Sequence, residues 1–286
     1  MAPAQPDILA DPPSMSDPSP LVPDPVTATA RPAVAIPLER VRIVLVGTSH
    51  PGNVGATARA MKVMGLSDLA LVDPRFSDVL EQPDAIAFAS GAVDVLQRAT
   101  VHATLDAALA DTVHAIALSA RDREYAPPRA TLRTAAGDAT RIARDDGVVA
   151  FVFGSERYGL SNDDVLRCQA GCRIETSDDY GSLNLAQAVQ LVAYECRQAV
   201  LAGAPAAPRD DGPPATHDER EALVEHLERG LLAIGFLDPA APKKLMQRVR
   251  RLFARARLER EEVQWLRGVA KAMLRTAART RDADGT

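Results

Sequence analysis

A chain of 286 residues with 47% hydrophobic and 25% charged side chains but only 4% aromatic ones has the make-up of a soluble globular protein with one or two cores. That excludes collagen-like, wholly disordered and membrane-spanning chains, since no run approaches the roughly 18 uninterrupted apolar residues that a membrane helix needs. The formal charge of −5 is unevenly spread: residues 1–38 carry −3, residues 39–216 carry −6 and residues 217–286 carry +4.

Ten of the 21 prolines fall within residues 1–38, among Ala, Ser and Asp. Such a stretch buries too little apolar surface to offset its ordering entropy, so a disordered tail is expected there. The first residues lack the basic and apolar regions of an export signal. Cys168, Cys172 and Cys196 are too few, and odd in number, for a disulfide framework. A cytoplasmic location is therefore expected.

Residues 39–202 alternate short β-branched runs with helical patterns, which predicts an α/β domain with a mostly parallel sheet and helices on both faces. The predicted strands are Val41–Val46, Leu69–Val72, Ala115–Leu118, Val148–Phe153 and Cys172–Glu175. The last helix is the clearest: Leu185, Val189, Val192, Cys196 and Val200 recur at spacings of three and four and make one apolar stripe that stops at Gly203. Residues 203–216, GAPAAPRDDGPPAT, read as a linker.

Residues 217–286 predict a small all-α region of three helices, roughly 217–233, 242–257 and 259–277. Leu245, Val249, Leu252, Phe253 and Ala256 share one face of the second. Its basic side chains must then face water or a partner: Lys243, Lys244, Arg248, Arg250, Arg251 and Arg255 stand in a stretch, 243–260, with eight Lys or Arg and a single acid, Glu259. That pattern suits a solvated face or a polyanion-binding patch, and charge alone leaves both open.

Three segments of residues 39–202 look able to carry chemistry. The first, VRIVLVGTSHPGNVGATARAMKVMG (41–65), is a strand, a glycine-rich turn and a helix, an arrangement that leaves backbone N–H groups for an anion or simply makes a tight turn. Gly47, Gly52 and Gly55 do not form G-x-G-x-x-G and no G-K-[ST] follows, so dinucleotide-dependent redox and nucleotide hydrolysis lose their support. Arg59, among small alanines, offers a planar fork of donors to a phosphate or carboxylate. The second segment, VVAFVFGSERYGLSNDD (148–164), is a strand leaving into a Gly154–Glu156–Gly159 loop, the kind of place where open sheets bind ligands. The third, IETSDDYGSLNLAQAVQ (174–190), leads through Gly181, Ser182, Leu183 and Asn184 into the long helix, where Ser or Asn also serves as a plain helix cap.

Taken together, TSHPGNVGATARAMK, FGSERYGLSN and GSLNLAQAVQLVAYE resemble the signatures of the SPOUT class of methyltransferases, and in particular the bacterial tRNA ribose 2′-O-methyltransferase family TrmJ. The resemblance is close over roughly 40–202 and looser over 217–277. It implies a carboxyl-terminal trefoil knot in the sheet, which no pattern of residues would suggest. It also implies S-adenosylmethionine bound by Leu118, Ser119, Ala120, Gly154, Ile174, Gly181, Ser182 and Leu183. Catalysis falls to Arg59, with Asn53, Glu156, Ser182 and Asn184 orienting it and the ribose. The partners implied are tRNA, held by the basic helix, and a second copy in a homodimer whose Arg59 completes the site. The substrate implied is cytidine or uridine at tRNA position 32. No metal is implied, and the histidines and cysteines show no ligand spacing. Two departures stand out: Leu118 begins a Leu-Ser-Ala-Arg run where the family usually has Thr-Ser-Ala-Arg, and Ser155 stands where a long polar residue is usual. The alternatives are a SPOUT enzyme acting on another tRNA site or on ribosomal RNA, and a catalytically silent RNA-binding module.

Overall fold

The computed structural model describes residues 37–119, 126–203 and 212–284. The expected tail up to residue 36, Ala120 of the expected cofactor set, Arg121 and most of the linker lie outside them. The chain opens with β1 (Val41–Val46), α1 (Pro51–Met64) and β2 (Asp68–Val72). Next come α2 (Pro83–Ala89), α3 (Val93–Arg98), β3 (Thr100–His102), α4 (Leu105–Leu109) and β4 (Thr112–Leu118). The second half runs β5 (Arg129–Thr131), α5 (Leu132–Arg144), β6 (Val148–Phe153), α6 (Asn162–Arg167), β7 (Ala170–Arg173) and α7 (Leu185–Leu201). Last are α8 (His217–Ala233), α9 (Leu245–Ala256) and α10 (Arg260–Asp284).

Seven strands, all paired in parallel, form one sheet in the order β3-β2-β1-β6-β4-β7-β5. The central strands β1 and β6 are covered on both faces and are accordingly near-continuous apolar runs. One face packs Val54, Ala58 and Met61 of α1, Ala135 and Ala139 of α5, and Val189 and Val192 of α7. The other is covered by Leu105, Ala108 and Leu109 of α4 and by Val165 and Cys168. The two-sided cover is the layering the sequence predicted. The order of passages is most unusual at the carboxyl edge, where β7 is laid between β4 and β5, two strands already in place, before α7 packs on α1 and α5.

The differences from expectation have local causes. Strands β3 and β5, three residues each, are too short to show a period and were not expected. Strand β7 is shifted two residues towards the amino terminus of its expected position, because Ala170, Gly171 and Cys172 pair with Ile116, Ala117 and Leu118 while Ile174 turns off towards the ligand edge. Leu38, assigned by composition to the tail, is fully buried under a 3-10 turn at Pro37–Arg40. Helix α9 begins at Leu245, later than expected, since Lys243 and Lys244 adopt left-handed φ of 45° and 56°. No α9 side chain is fully buried, and Leu252, expected on its apolar face, is 52% exposed.

The amino end of α8 docks on the sheet through polar groups. His217 Nε2 lies 2.9 Å from Asp106 Oδ1, and the same carboxylate receives Arg167 Nε at 2.9 Å. Arg220, buried, donates through Nη1 to the carbonyls of Val113 and Ala215; the Val113 acceptor lies at 3.1 Å, where a register shift between Thr112 and His114 interrupts β4–β6 pairing.

Candidate functional site

Parallel strands put all their carboxyl ends at one edge, and the loops leaving β4, β6 and β7 meet there around a cavity of about 180 Å³. Leu118 and Ser119 line it from the first loop, Gly154, Ser155, Glu156 and Gly159 from the second, and Ile174, Thr176, Gly181 and Leu183 from the third. Leu185 and Ala188 of α7 and Phe153 complete its wall. The lining thus combines apolar side chains with three glycines and a few polar side chains, as suits a flat heteroaromatic ligand. Two of these glycines are steric requirements. A Cβ on Gly154 would sit 2.0 Å from the carbonyl carbon of Gly159, and one on Gly181 would sit 2.8 Å from Thr176 Oγ1.

Beside the cavity, the Glu156 carboxylate draws three parts of the chain together. Its Oε1 accepts from Asn53 Nδ2 at 2.8 Å and Thr48 Oγ1 at 3.2 Å; its Oε2 accepts from the Ser49 N–H at 3.0 Å and Ser49 Oγ at 2.9 Å. Partial burial would raise its pKa, but the hydrogen bonds from Asn53 and Ser49 outweigh this and hold it below the ordinary glutamate value. Asn53 Oδ1 in turn accepts from Asn184 Nδ2 at 2.9 Å. Asn184 simultaneously caps α7, its Oδ1 accepting from the N–H of Ala186 at 2.9 Å and of Gln187 at 3.4 Å. Asn184 therefore serves as the helix cap that its residue type allows, and its side-chain amide also joins the Glu156–Asn53 pair.

Of the expected reaction residues, the structure brings Asn53, Glu156 and Asn184 into one hydrogen-bonded chain. Ser182 is exposed and makes no hydrogen bond among the described residues. Arg59 is also exposed, six positions along α1 from Asn53 and so about 9 Å farther along the axis, and it neither lines the cavity nor pairs with an acid. Of the expected cofactor residues, Leu118, Ser119, Gly154, Ile174, Gly181 and Leu183 line the cavity. Thr48, Ser49, Phe153 and Thr176 were missed. Thr48 and Ser49 stood inside the first segment, and the signal was a pair of hydroxyls directly after a strand end.

In the glycine-rich turn before α1, several of the N–H groups that its pattern offered to an anion are engaged within the chain. Glu156 occupies the Ser49 N–H, and His50 Nδ1 takes the Gly52 N–H at 3.1 Å as helix cap. Gly55 serves packing instead, since a Cβ there would lie 2.0 Å from the Ala85 carbonyl oxygen where α2 crosses. In the basic stretch, Lys243, Lys244, Arg248, Arg251 and Arg255 are exposed, whereas Arg250 is half-buried and pairs with the Glu221 carboxylate of α8. Among the described residues no three His, Cys, Asp or Glu side chains gather as a metal set, and no helix is long and apolar enough to cross a membrane. The three cysteines are buried, and burial pushes the Cys172 thiol up to about 11.

The chain is similar to known proteins over most of its length. The SpoU rRNA Methylase family matches residues 40–194, and the C-terminal domain of tRNA methyltransferase TrmJ matches residues 218–282. The tRNA (cytidine/uridine/adenosine-2′-O-)-methyltransferase TrmJ of Pseudomonas aeruginosa strain UCBPP-PA14 is 44% identical over 248 residues, spanning 81% of this chain and 93% of its own. The tRNA (cytidine/uridine-2′-O-)-methyltransferase TrmJ of Photorhabdus laumondii is 45% identical over 240 residues, spanning 82% and 97%. Among solved structures, TrmJ from Z. mobilis ZM4 superposes with a TM-score of 0.70 at 36% identity, covering 81% of this chain and 98% of its own. A probable methyltransferase from Bordetella pertussis is 51% identical, with a TM-score of 0.55 over 57% of this chain and 98% of its own.

Proposed function

The chain belongs to the TrmJ family of SpoU-type RNA methyltransferases, and from that premise we propose how its residues divide the reaction. The enzyme is S-adenosylmethionine-dependent and methylates the ribose 2′-hydroxyl of cytidine or uridine in the tRNA anticodon loop. The site within that loop is position 32. The observation that carries the assignment is the convergence of the β4, β6 and β7 loops on one cavity beside the Glu156–Asn53–Asn184 chain.

The lining fits the donor: Leu118, Ile174, Leu183 and Leu185 offer apolar walls for an adenine, and Gly154 and Gly181 let the backbone approach it. When bound, S-adenosylmethionine supplies an electrophilic methyl group on a sulfonium. The protein's task is to align a ribose oxygen with it and to manage that oxygen's proton. Glu156 does not take the proton, because both its oxygens are occupied by donors and its pKa is held down. It fixes Asn53, and through it Asn184, as orienting groups. Arg59 stabilises the negative charge that develops on the attacking oxygen and clamps the adjoining phosphate; a guanidinium stays protonated at any working pH and is no base. A phosphate oxygen or water accepts the proton. Since Arg59 lies away from the cavity of its own chain, the arginine that serves each site comes from the partner in a homodimer. Residues 217–286 hold the tRNA through the exposed Lys243, Lys244, Arg248, Arg251 and Arg255, while Arg250 orients α9 on α8. The enzyme works in the cytoplasm.

The test is incubation with labelled donor and total tRNA from cells lacking the modification, followed by nucleoside mapping. Label is expected at the 2′-oxygen of residue 32, with single-turnover rates at least 100-fold lower for Arg59→Ala and Arg59→Lys. Label in ribosomal RNA instead, or near-normal rates for both variants, would overturn the substrate and the arginine assignment respectively. Mixed dimers of Arg59→Ala and Glu156→Ala subunits should regain activity if the arginine acts across the interface.

A further inference from the structure

The loop 154–159 of this chain holds an aromatic ring beside the site in a way that nothing so far explains. Tyr158 is one of only four tyrosines and its side chain is 66% exposed. An exposed ring on a mobile loop would mean little, but this loop is held closed on itself. The Tyr158 N–H donates to Ser155 Oγ at 3.2 Å, and the Gly159 N–H to the Ser155 carbonyl at 2.8 Å. Ser155 and Gly159 pair as a β-bridge. The loop closes back on Gly154 so tightly that only glycine fits there. The Arg157 guanidinium lies 5.1 Å from the ring centroid, bracing the tyrosine and placing a cation beside it. The residues on either side of this Arg-Tyr pair, Glu156 and Gly159, line the ligand cavity.

An exposed ring on a fixed backbone, with a guanidinium beside it, is the chemistry that reads unpaired bases: every base has a π-face, and single-stranded loops offer bases that are already unstacked. Ser155 makes this presentation possible, because its hydroxyl is the acceptor that fixes the Tyr158 backbone.

We propose that Tyr158, set by Ser155 and braced by Arg157, is a base-stacking residue that grips an unpaired nucleobase next to the methylated nucleotide. The proposal rests on the methyltransferase reading of the neighbouring cavity and adds a substrate contact to it. It predicts that this enzyme gains RNA affinity from a π-surface at the site, apart from the electrostatic hold of the basic helices. That part of the binding resists salt, since stacking releases no counterions.

The experiment uses the full chain and an anticodon stem-loop RNA carrying 2-aminopurine beside the target nucleotide. Wild type and Tyr158→Phe should both quench the 2-aminopurine, because the ring and not the hydroxyl does the work. Tyr158→Ala should lose the quenching and raise the KM for RNA about ten-fold, with kcat at saturating RNA, donor affinity and oligomeric state unchanged. Ser155→Ala should give a smaller rise in KM. Full quenching and an unchanged KM in Tyr158→Ala would overturn the proposal, as would a loss of donor affinity or of dimer, either of which assigns the ring to packing. Wild-type protein that binds the stem-loop but transfers no methyl group would instead overturn the methyltransferase reading and leave the quenching result to stand by itself.

Discussion

Two polar clusters in this protein solve the same problem, fixing charged groups at the border of an apolar sheet, in contrasting ways. At the ligand edge, the Glu156 carboxylate receives four hydrogen bonds, and its partner Asn53 is engaged at both ends of its amide. Where α8 docks, Arg220 is 6% exposed, yet its Nε and Nη2, and Nδ1 of His217, have no hydrogen-bond partner among the described residues. Burial draws the Arg220 guanidinium down to about 10, against the pull of Glu221 and Glu219. An over-satisfied cluster is set in position before any ligand arrives and loses little if one donor goes. An under-satisfied one stands on desolvated charge, so removing a single partner strands a buried group at full cost. The first arrangement suits alignment of reacting atoms; the second makes the docking of α8 the place where stability responds to conditions.

The largest expected effect tests the rigidity of the ligand edge. Gly154→Ala places a Cβ 2.0 Å from the Gly159 carbonyl carbon, and backbone has nowhere flexible to yield, so the 154–159 loop must shift. Affinity for the methyl donor, measured by calorimetric titration, should fall more than about 100-fold, which corresponds to roughly 3 kcal/mol. Donor binding within two-fold of wild type would mean that the loop adapts and that the cavity is not preset.

How much of this was legible in the sequence depends on range. Strand β6 and the stripe of α7 were readable because their covering layers impose a pattern on consecutive residues: Val148–Phe153 is a continuous apolar run, and Leu185, Val189, Val192, Cys196 and Val200 are all buried. The three loops were readable as separate glycine-bearing turns. Their convergence was not, because Thr48 and Glu156 meet across 108 positions and Asn53 and Asn184 across 131. Only the family resemblance joined them. The docking of α8 was illegible for a further reason: Arg220 has the look of a surface residue, and it is buried because a register shift in β4 leaves the Val113 carbonyl for it to bind. In α9 the periodicity placed Leu245, Val249 and Phe253 on the half-buried side, but Leu252 and Ala256, at the margin of that face, are exposed.

His114 gives the next largest effect, on the side of the molecule where α8 docks. Burial, reinforced by Arg257, Arg220 and Arg141 and opposed by Asp138, pushes its pKa from 6.5 down to about 3. The folded protein therefore keeps this imidazole neutral while the unfolded chain takes up a proton as pH falls below 6.5. Stability is lost progressively from pH 6.5 towards pH 3, by about 3 kcal/mol at pH 4.5. Urea unfolding at pH 7 and pH 4.5 should show this slope in wild type and a much flatter one in His114→Leu. Equal slopes would assign the acid sensitivity elsewhere. The ligand edge should respond differently, because the Glu156 pKa is depressed and its charged form is the one the fold prefers. Glu156→Gln keeps the shape but turns an NH2 group towards donors, leaving either Thr48 and Asn53 or Ser49 without an acceptor. A cost of about 2 kcal/mol is expected, read as roughly a 30-fold slower single-turnover methyl transfer with the tRNA KM unchanged. An acid limb of activity near pH 5 to 6 that persists in His114→Leu, where the acid loss of stability is removed, would contradict the anionic, positioning role given to Glu156.

Asp106 carries the smallest effect and separates the two clusters most cleanly. Its hydrogen bond from His217 lowers its pKa from 3.8 to about 2; burial opposes this and Arg167 adds to it. A depressed carboxylate contributes stability that is complete above pH 3.8 and disappears as pH falls through about 2, a window below most of the one His114 governs. The shift corresponds to at most roughly 2.5 kcal/mol. The side chain is 42% exposed, so solvent screening reduces the expected contribution to about 1 kcal/mol. Asp106→Asn should therefore lower stability at pH 7 by about that much, with amide hydrogen exchange in the first turns of α8 accelerated and exchange in α7 unchanged. Methyl transfer on an isolated anticodon stem-loop should stay at the wild-type rate, because Asp106 reaches neither the cavity nor Glu156. Uniform acceleration of exchange across the sheet would show that the His217–Asp106–Arg167 cluster supports the whole fold rather than the seat of α8, and the contrast between the two clusters would then be one of chemistry without a division of labour.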